Sequence, residues 1–190
     1  MTTRFISVMK NLIVMLKKRG FKMPKQIHFF DYNNIENFIK QQKGTFLCKN
    51  KKGEKVFVCI TNEKIGVKEL RIKIAQVNAL RLKHAIFALE TKETSYSKKL
   101  KSQHKNIQIE RYLFKDLQIS ANKHSIVPKH VLLTNEQVKK VKKVFKIKEM
   151  PMIYSDDPQC KYHNAKPGDI MKIYRKDCIY YRAVVQRCLL

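Results

Sequence analysis

Acidic residues are scarce in this chain of 190 residues: 15 Asp and Glu stand against 41 Lys and Arg, a formal net charge of +26. Such a surface is drawn to polyanions, nucleic acid first and anionic membrane second, unless the lysines only solvate it. The excess is about equal per residue before and after Ser120, so charge alone does not locate a DNA-binding face. Long apolar runs are missing too. None approaches the ~18 residues of a membrane span. The apolar stretch at residues 5–16 is broken by Lys10 and Asn11 and lacks a small-residue cleavage site, which argues against a signal peptide. Five cysteines, an odd number at irregular spacing, give no disulfide framework and fit a reducing compartment. Glycines are few, and no internal repeat or low-complexity segment interrupts the chain. With 44% hydrophobic residues the chain can bury one sizeable core or two small ones.

What is present is periodic. Phe5, Val8, Met9, Leu12, Ile13 and Leu16 recur at three- and four-residue steps, predicting a helix over 4–19, with Lys17, Lys18 and Arg19 at its negative end and Gly20 as its stop. A shorter helix carrying Ile35, Phe38 and Ile39 is expected to start at Asp31 or Asn33 and close near Gly44. Residues 45–48 and 55–61 read as a hairpin around Lys49-Asn50-Lys51-Lys52-Gly53. A third helix is predicted over 67–80 (Val67, Leu70, Ile74, Val77), with Gly66 relieving a bend before it. A buried strand follows at 84–89, a basic helical turn at 95–103 and a strand at 107–114. Interleaved helices and strands predict an α/β layer arrangement with a small mixed sheet for the first ~118 residues.

Beyond residue 118 the signals are sharper. His124-Ser125-Ile126-Val127-Pro128-Lys129-His130 leads to Thr134-Asn135-Glu136-Gln137, whose spacing is a capping box for a helix with an apolar face at Val138, Val141, Val144 and Phe145 and lysines at 139, 140, 142 and 143. Pro158 after Asp157 suits a capped short helix, in Asp156-Asp157-Pro158-Gln159-Cys160-Lys161-Tyr162. Lys166-Pro167-Gly168-Asp169 has turn chemistry, and strands at 170–175 and 179–185 follow, joined by Lys176-Asp177-Cys178.

In this order and spacing, the Val-Pro-Lys-His arm, the Asp157-Pro158 step with Tyr162, the run Lys166-x-Gly168-Asp169-Ile170-Met171-Lys172-Ile173-x-Arg175 and the closing Tyr181-Arg182 resemble the carboxy-terminal assembly domain of the fifth-subunit family of eukaryotic RNA polymerases, a domain that has its own counterpart in the archaeal enzyme. The resemblance implies two domains: a jaw over 1–118, related to restriction endonucleases but without an active site, and a small α+β assembly domain over 119–190. Residues 1–118 resemble the family jaw in element order and in Arg19-Gly20-Phe21 closing the first helix. It further implies docking on the largest polymerase subunit, a position near the small sixth subunit, and a jaw beside downstream duplex DNA. Docking residues carried over on the matching motifs are Val127, Pro128, Lys129, His130, Asp157, Pro158, Tyr162, Gly168, Lys172, Ile173, Arg175, Tyr181 and Arg182. Family members usually have a longer connection after Arg175, with a Ser-Glu-Thr step, which this chain has trimmed.

The candidate DNA contacts are Ser95, Ser97, Lys98, Lys99 and Lys101. Hydroxyls and free backbone N–H groups at a helix start bind phosphate oxygens, and the lysines supply charge. Ser95-Tyr96-Ser97 resembles the family's Thr-Pro-Ser step, with tyrosine replacing proline; the same residues also read as an ordinary N-cap. Nuclease chemistry needs an acid plus a (D/E)-x-K strand to hold Mg²⁺ and support the attacking water. Val56-Phe57-Val58-Cys59-Ile60 carries no acid, Glu63-Lys64 lacks the intervening residue, and Glu54 and Asp31 have no obvious partners. Cys160 and His163 have ligand-like spacing, but Cys178 and Cys188 form no paired knuckle, so buried small hydrophobe is the better reading of Cys160. His124 and His130 lack a nucleophile or carboxylate nearby, which favours structural hydrogen bonding.

The expectation is therefore a non-catalytic polymerase subunit without metal or cofactor, neither homo-oligomer nor membrane protein, located in the nucleus if cellular or in host cytoplasm and virion if encoded by a cytoplasmic DNA virus. The alternative is a free-standing basic nucleic-acid-binding protein.

Overall fold

The computed structural model describes residues 3–24, 44–61, 66–91, 104, 106–119 and 124–187. The chain divides into two compact units, Met1–Ile119 and Ser120–Leu190. Each is a mixed sheet with helices.

The first unit opens with helix α1 (Thr3–Lys18). Its predicted stripe is buried from Phe5 to Leu16, and Met15 joins it. Each such side chain removed from water is worth about 1.5–3 kcal/mol, so packing rather than propensity holds the helix. Gly20 ends it at φ +85, left-handed backbone that an L side chain rarely adopts. A two-residue strand, β1 (Phe21–Lys22), follows. Strands β2 (Thr45–Asn50) and β3 (Lys55–Thr61) form the expected hairpin. Asn50 and Glu54 close its loop, with Asn50 Oδ1 accepting from the Glu54 N–H at 2.9 Å and Asn50 Nδ2 donating to the Glu54 carboxylate at 2.6 Å.

Helix α2 (Val67–Ala79), strand β4 (His84–Leu89), strand β5 (Gln108–Leu113) and helix α3 (Phe114–Gln118) complete the unit. The sheet order is β1-β2-β3-β4-β5, antiparallel through β3 and parallel across β3, β4 and β5. Inner parallel strands are covered on both faces, so β3 and β4 read as continuous apolar runs. Phe57, Cys59, Ala85, Phe87 and Ile109 pack with Leu70, Ile74 and Val77 of α2. Val56, Val58, Ile60, Ile86 and Ala88 alternate to the other face and are buried as well.

Two details differ from expectation. Gly66 lies in extended backbone (φ −74, ψ 168), so it relieves no bend; it caps α2, its N–H donating to the Glu69 carboxylate at 3.3 Å. The last strand turns into α3 at Phe114, because that ring is buried edge-on to Phe5 of α1, with centroids 5.6 Å apart. Asn11 Nδ2 fixes the same junction by donating to the Leu117 carbonyl at 2.7 Å. The helices expected at 33–44 and 95–103 fall outside the described residues, apart from Gly44, which sits in a turn at φ +69.

The second unit runs β6 (Lys129–Leu132), α4 (Asn135–Val144), a 3-10 turn (Ile147–Glu149), β7 (Met152–Tyr154), α5 (Pro158–His163), β8 (Ile170–Tyr174) and β9 (Ile179–Val185). Its sheet order is β6-β8-β9-β7; only the β9–β7 pairing is parallel. The capping box forms as read: the Gln137 N–H donates to Thr134 Oγ1 at 3.4 Å, and the Thr134 N–H to Gln137 Oε1 at 3.0 Å. Asp157 caps α5 through the Gln159 N–H at 2.8 Å, and Asn164 ends it in left-handed conformation.

This sheet is packed on both faces. Leu132, Met171, Val184 and Ile153 meet Cys160 of α5 and Ala165 just after it, while Ile170, Ala183, Leu133 and Met150 meet Val138 and Val141 of α4. The expected apolar face of α4 is therefore only half used. Val144 is 75% and Phe145 49% exposed, the Phe145 ring lying 5.9 Å from that of Tyr181.

Candidate docking interface

Strand pairing sorts the candidate docking residues onto two faces of the second sheet. Lys129 is opposite Tyr174, and Lys172 is opposite Tyr181, so these four share a face. His130 is opposite Ile173, and Arg182 opposite Met171, on the other face. Ile173 is buried in the core, so it supports the strand rather than offering a contact. His130 Nδ1 donates to the Pro128 carbonyl at 2.7 Å, which stiffens the Val127-Pro128 arm; both arm residues are half-buried.

Asp157, Pro158 and Gly168 set local chain geometry. The first two start α5, and Gly168 (φ +96) forms the turn that Asp169 closes by accepting the Lys166 N–H at 2.7 Å. Tyr162 is half-buried with its ring edge-on to His163. Gly168 bonds Val184 near the end of β9, whereas Arg175 lies at the β8–β9 turn before its start, so the set does not converge on one patch. Exposed apolar residues that sequence reasoning left out surround it: Ile126, Ile147, Met152, Tyr154, Ile179 and Tyr180. For Met152 and Tyr154 the signal was alternation about the buried Ile153.

The candidate DNA contacts Ser95, Ser97, Lys98, Lys99 and Lys101 lie outside the described residues. Within the first unit the chemistry concentrates elsewhere. The Arg19 guanidinium grips Glu110 of β5 with two parallel bonds of 2.9 Å, donates to Tyr112 Oη at 2.7 Å, and shares the carboxylate with His84 Nε2 and with the Tyr112 hydroxyl at 2.8 Å. Arg19 and Glu110 side chains are only 6% and 12% exposed. Burial alone would raise the Glu110 pKa, but the bonds from His84 and Arg19 and the guanidinium charge bring it down to about 2. Burial would lower the Arg19 pKa, yet Glu110 holds it above its ordinary value. A carboxylate so occupied has no lone pair left for a metal. Glu54 is likewise engaged by Asn50.

Arg19 was read as a cation at a helix end, and its partner was missed because Glu110 lies 91 residues away inside a strand pattern. The available signal was an acid set among alternating buried residues. Cys48, Cys59 and Cys160 are buried, with thiols pushed up by burial to about 12, 11 and 12, while Cys178 is exposed. Among the described residues no group of three or more His, Cys, Asp or Glu is placed to hold a metal, and no helix is long and apolar enough to cross a membrane.

Comparison with known proteins converges on one family. The family described as RNA polymerase Rpb5, C-terminal domain, matches residues 119–189. The DNA-directed RNA polymerase subunit Rpo5 of Archaeoglobus fulgidus is 42% identical over 69 residues, 33% of this chain and 91% of that protein. Its counterpart from Sulfurisphaera tokodaii is 41% identical over 73 residues, 37% of this chain and 87% of that protein. A subunit shared by RNA polymerases I, II and III of Dictyostelium discoideum is 25% identical over 180 residues, 90% of each chain. With nearly all of an archaeal relative covered at that identity, this chain belongs to the fifth-subunit family of DNA-directed RNA polymerases.

Proposed function

We propose that the chain is a non-catalytic subunit of a multisubunit DNA-dependent RNA polymerase, anchored through Ser120–Leu190 on the largest subunit near a counterpart of the small sixth subunit. The observation that carries this is the extent of the archaeal match. Those relatives are matched over 91% and 87% of their length by only 33% and 37% of this chain, and the family's C-terminal domain matches residues 119–189, which lie almost wholly in the second unit. The first unit is the part held in common with the longer Dictyostelium relative. We read it as the family's jaw, a restriction-endonuclease-like layer fold without an active site, lying beside downstream duplex DNA.

Two features support a binding rather than a cutting role: the charge of +26, and the engagement of Glu110, the largely buried acid of the first sheet, by Arg19, His84 and Tyr112. Compartment follows the host enzyme: nucleus for a cellular polymerase, host cytoplasm and virion for a cytoplasmic virus. Tagged chain should co-purify in equal stoichiometry with the large catalytic subunits and stay bound as salt rises, because a packed apolar anchor is insensitive to counterions. Recovery as a monomer, eluting from polyanions with salt and without polymerase activity, would make it a free-standing binder instead.

For the jaw, Lys98→Glu with Lys99→Glu should shorten the lifetime of elongation complexes on DNA about tenfold without releasing the protein from the polymerase, since each phosphate contact also carries counterion release. Unchanged lifetimes in that double variant would remove those lysines from the contact.

A further inference from the structure

The end of the β8–β9 hairpin has a chemistry that docking on a protein does not require. Every residue from 174 to 180 is exposed. Among them Tyr174, Ile179 and Tyr180 are 39%, 49% and 44% accessible, a high level for two aromatic rings and an isoleucine in one seven-residue turn. Each tyrosine ring is attended by cations. Lys172 Nζ lies 4.8 Å and Lys129 Nζ 5.7 Å from the Tyr174 centroid, and the Arg175 guanidinium lies 4.9 Å from that of Tyr180. Lys129 reaches the same ring because β6 pairs Lys129 directly opposite Tyr174. Asp177 is the one acid between residues 170 and 182.

Solvated rings flanked by cations are the two components of single-strand recognition: bases stack on the rings, and the cations neutralise the backbone beside each stacked base. Geometry separates single strand from duplex. Tyr174 and Tyr180 point to opposite faces of a ribbon that is three strands wide there (β6, β8 and β9), about 10 Å across the pairing direction, while β7 pairs β9 at Ala183–Val185, away from both rings. A flexible single strand can wrap that ribbon and stack on both rings. A duplex, with a persistence length of about 150 base pairs, cannot fold around it and keeps its bases out of reach.

We propose that the β8–β9 hairpin is a binding site for single-stranded nucleic acid, in which Tyr174 and Tyr180 stack bases and Lys129, Lys172 and Arg175 hold the adjoining phosphates. This site is separate from the duplex contact proposed for the jaw, and it takes Lys129, Lys172 and Arg175, which the family resemblance offers as docking residues, as nucleic-acid contacts instead. The short β8–β9 turn brings Arg175 and Tyr180 together, the Arg175 N–H donating to the Cys178 carbonyl at 3.0 Å.

The test is fluorescence anisotropy on the purified full chain with a labelled oligo-dT or oligo-rU, with labelled duplex measured in parallel. Tyr174→Ala with Tyr180→Ala should weaken single-strand binding at least about 30-fold, since each of the two lost base stacks is worth about 1–3 kcal/mol. Tyr174→Phe with Tyr180→Phe should retain it, because the ring and not the hydroxyl stacks. Duplex binding should change less than about twofold. Lys129→Ala with Lys172→Ala should flatten the salt dependence of single-strand binding. Equal losses on single strand and duplex, or no loss in the double alanine variant, would reduce the site to general polyanion attraction and overturn the proposal. If the alanine variant fails to fold, crosslinking a 4-thiouridine oligomer to the wild-type chain decides instead: labelled peptides must include the hairpin, and labelling confined to other segments overturns it.

Discussion

Replacing Arg19 by methionine should destabilise the Met1–Ile119 unit by about 3–5 kcal/mol, read as a drop in the urea midpoint, because it strands a buried carboxylate. Glu110 would keep His84 and Tyr112 as partners but lose both guanidinium bonds and the compensating charge. A loss below about 1 kcal/mol would mean that water solvates the carboxylate and the cluster is not closed. Adding Glu110→Leu to Arg19→Met should recover part of the loss, since an apolar pair avoids the desolvation that the ion pair has to offset. The cluster also sets an acid limit. The Glu110 pKa stands at about 2 in the folded unit against an ordinary 4.5, so unfolding takes up a proton. That stabilisation, about 3 kcal/mol, is complete above about pH 4.5 and drains away as pH falls toward about 2. In Arg19→Met the deficit relative to wild type should narrow across the same window, because protonation then removes the stranded charge. A deficit independent of pH would assign the loss to packing alone.

The second large effect is expected at Gly44. A Cβ there would lie 2.1 Å from the Ile60 carbonyl oxygen, on backbone at φ +69. That oxygen belongs to the centre of the first sheet and cannot rotate aside, and the Ile60 N–H already donates to the Gly44 carbonyl at 2.7 Å. Gly44→Ala must move β2 away from β3 or break that bond, at a cost of roughly 3 kcal/mol or more. Gly53→Ala is the matched control. It shares the left-handed backbone (φ +86), but its nearest neighbour would be the flexible Lys49 Cε at 3.9 Å. Conformational strain alone predicts about 1 kcal/mol there. Equal losses at the two positions would show that the close approach at Gly44 relaxes at no cost.

What could be read from sequence was what is local. Periodicity gave α1, α2, the β2–β3 hairpin and β4, and side-chain chemistry gave the Thr134 and Asp157 caps, each resolved within a turn or two. Elements too short to show a period were missed: β1 with two residues, β7 with three, and α3, which is set by Phe114 turning inward against Phe5. The parallel pairing of β3, β4 and β5 was not legible either, since it depends on partners far apart in the chain. In the candidate interface, motif positions named residues without saying where each would sit in the sheet. Ile173 proved to be core, Asp157 a cap and Gly168 a turn, whereas Tyr174 and Tyr180 stand exposed. Val144 and Phe145 continue the helical stripe of Val138 and Val141, but the core beneath them ends.

The distance along the chain between Arg19 and Glu110 also has a consequence in time. Ninety-one residues separate the two partners, so at roughly 5–20 residues per second about 5–20 s pass at the ribosome between the appearance of the first and the second. Throughout that interval α1 carries its apolar stripe and its guanidinium with neither the last strand nor its counter-ion to receive them. The nascent first unit thus keeps Arg19 without its counter-ion until β5 emerges, and the arrival of Glu110 is the event that closes the pair.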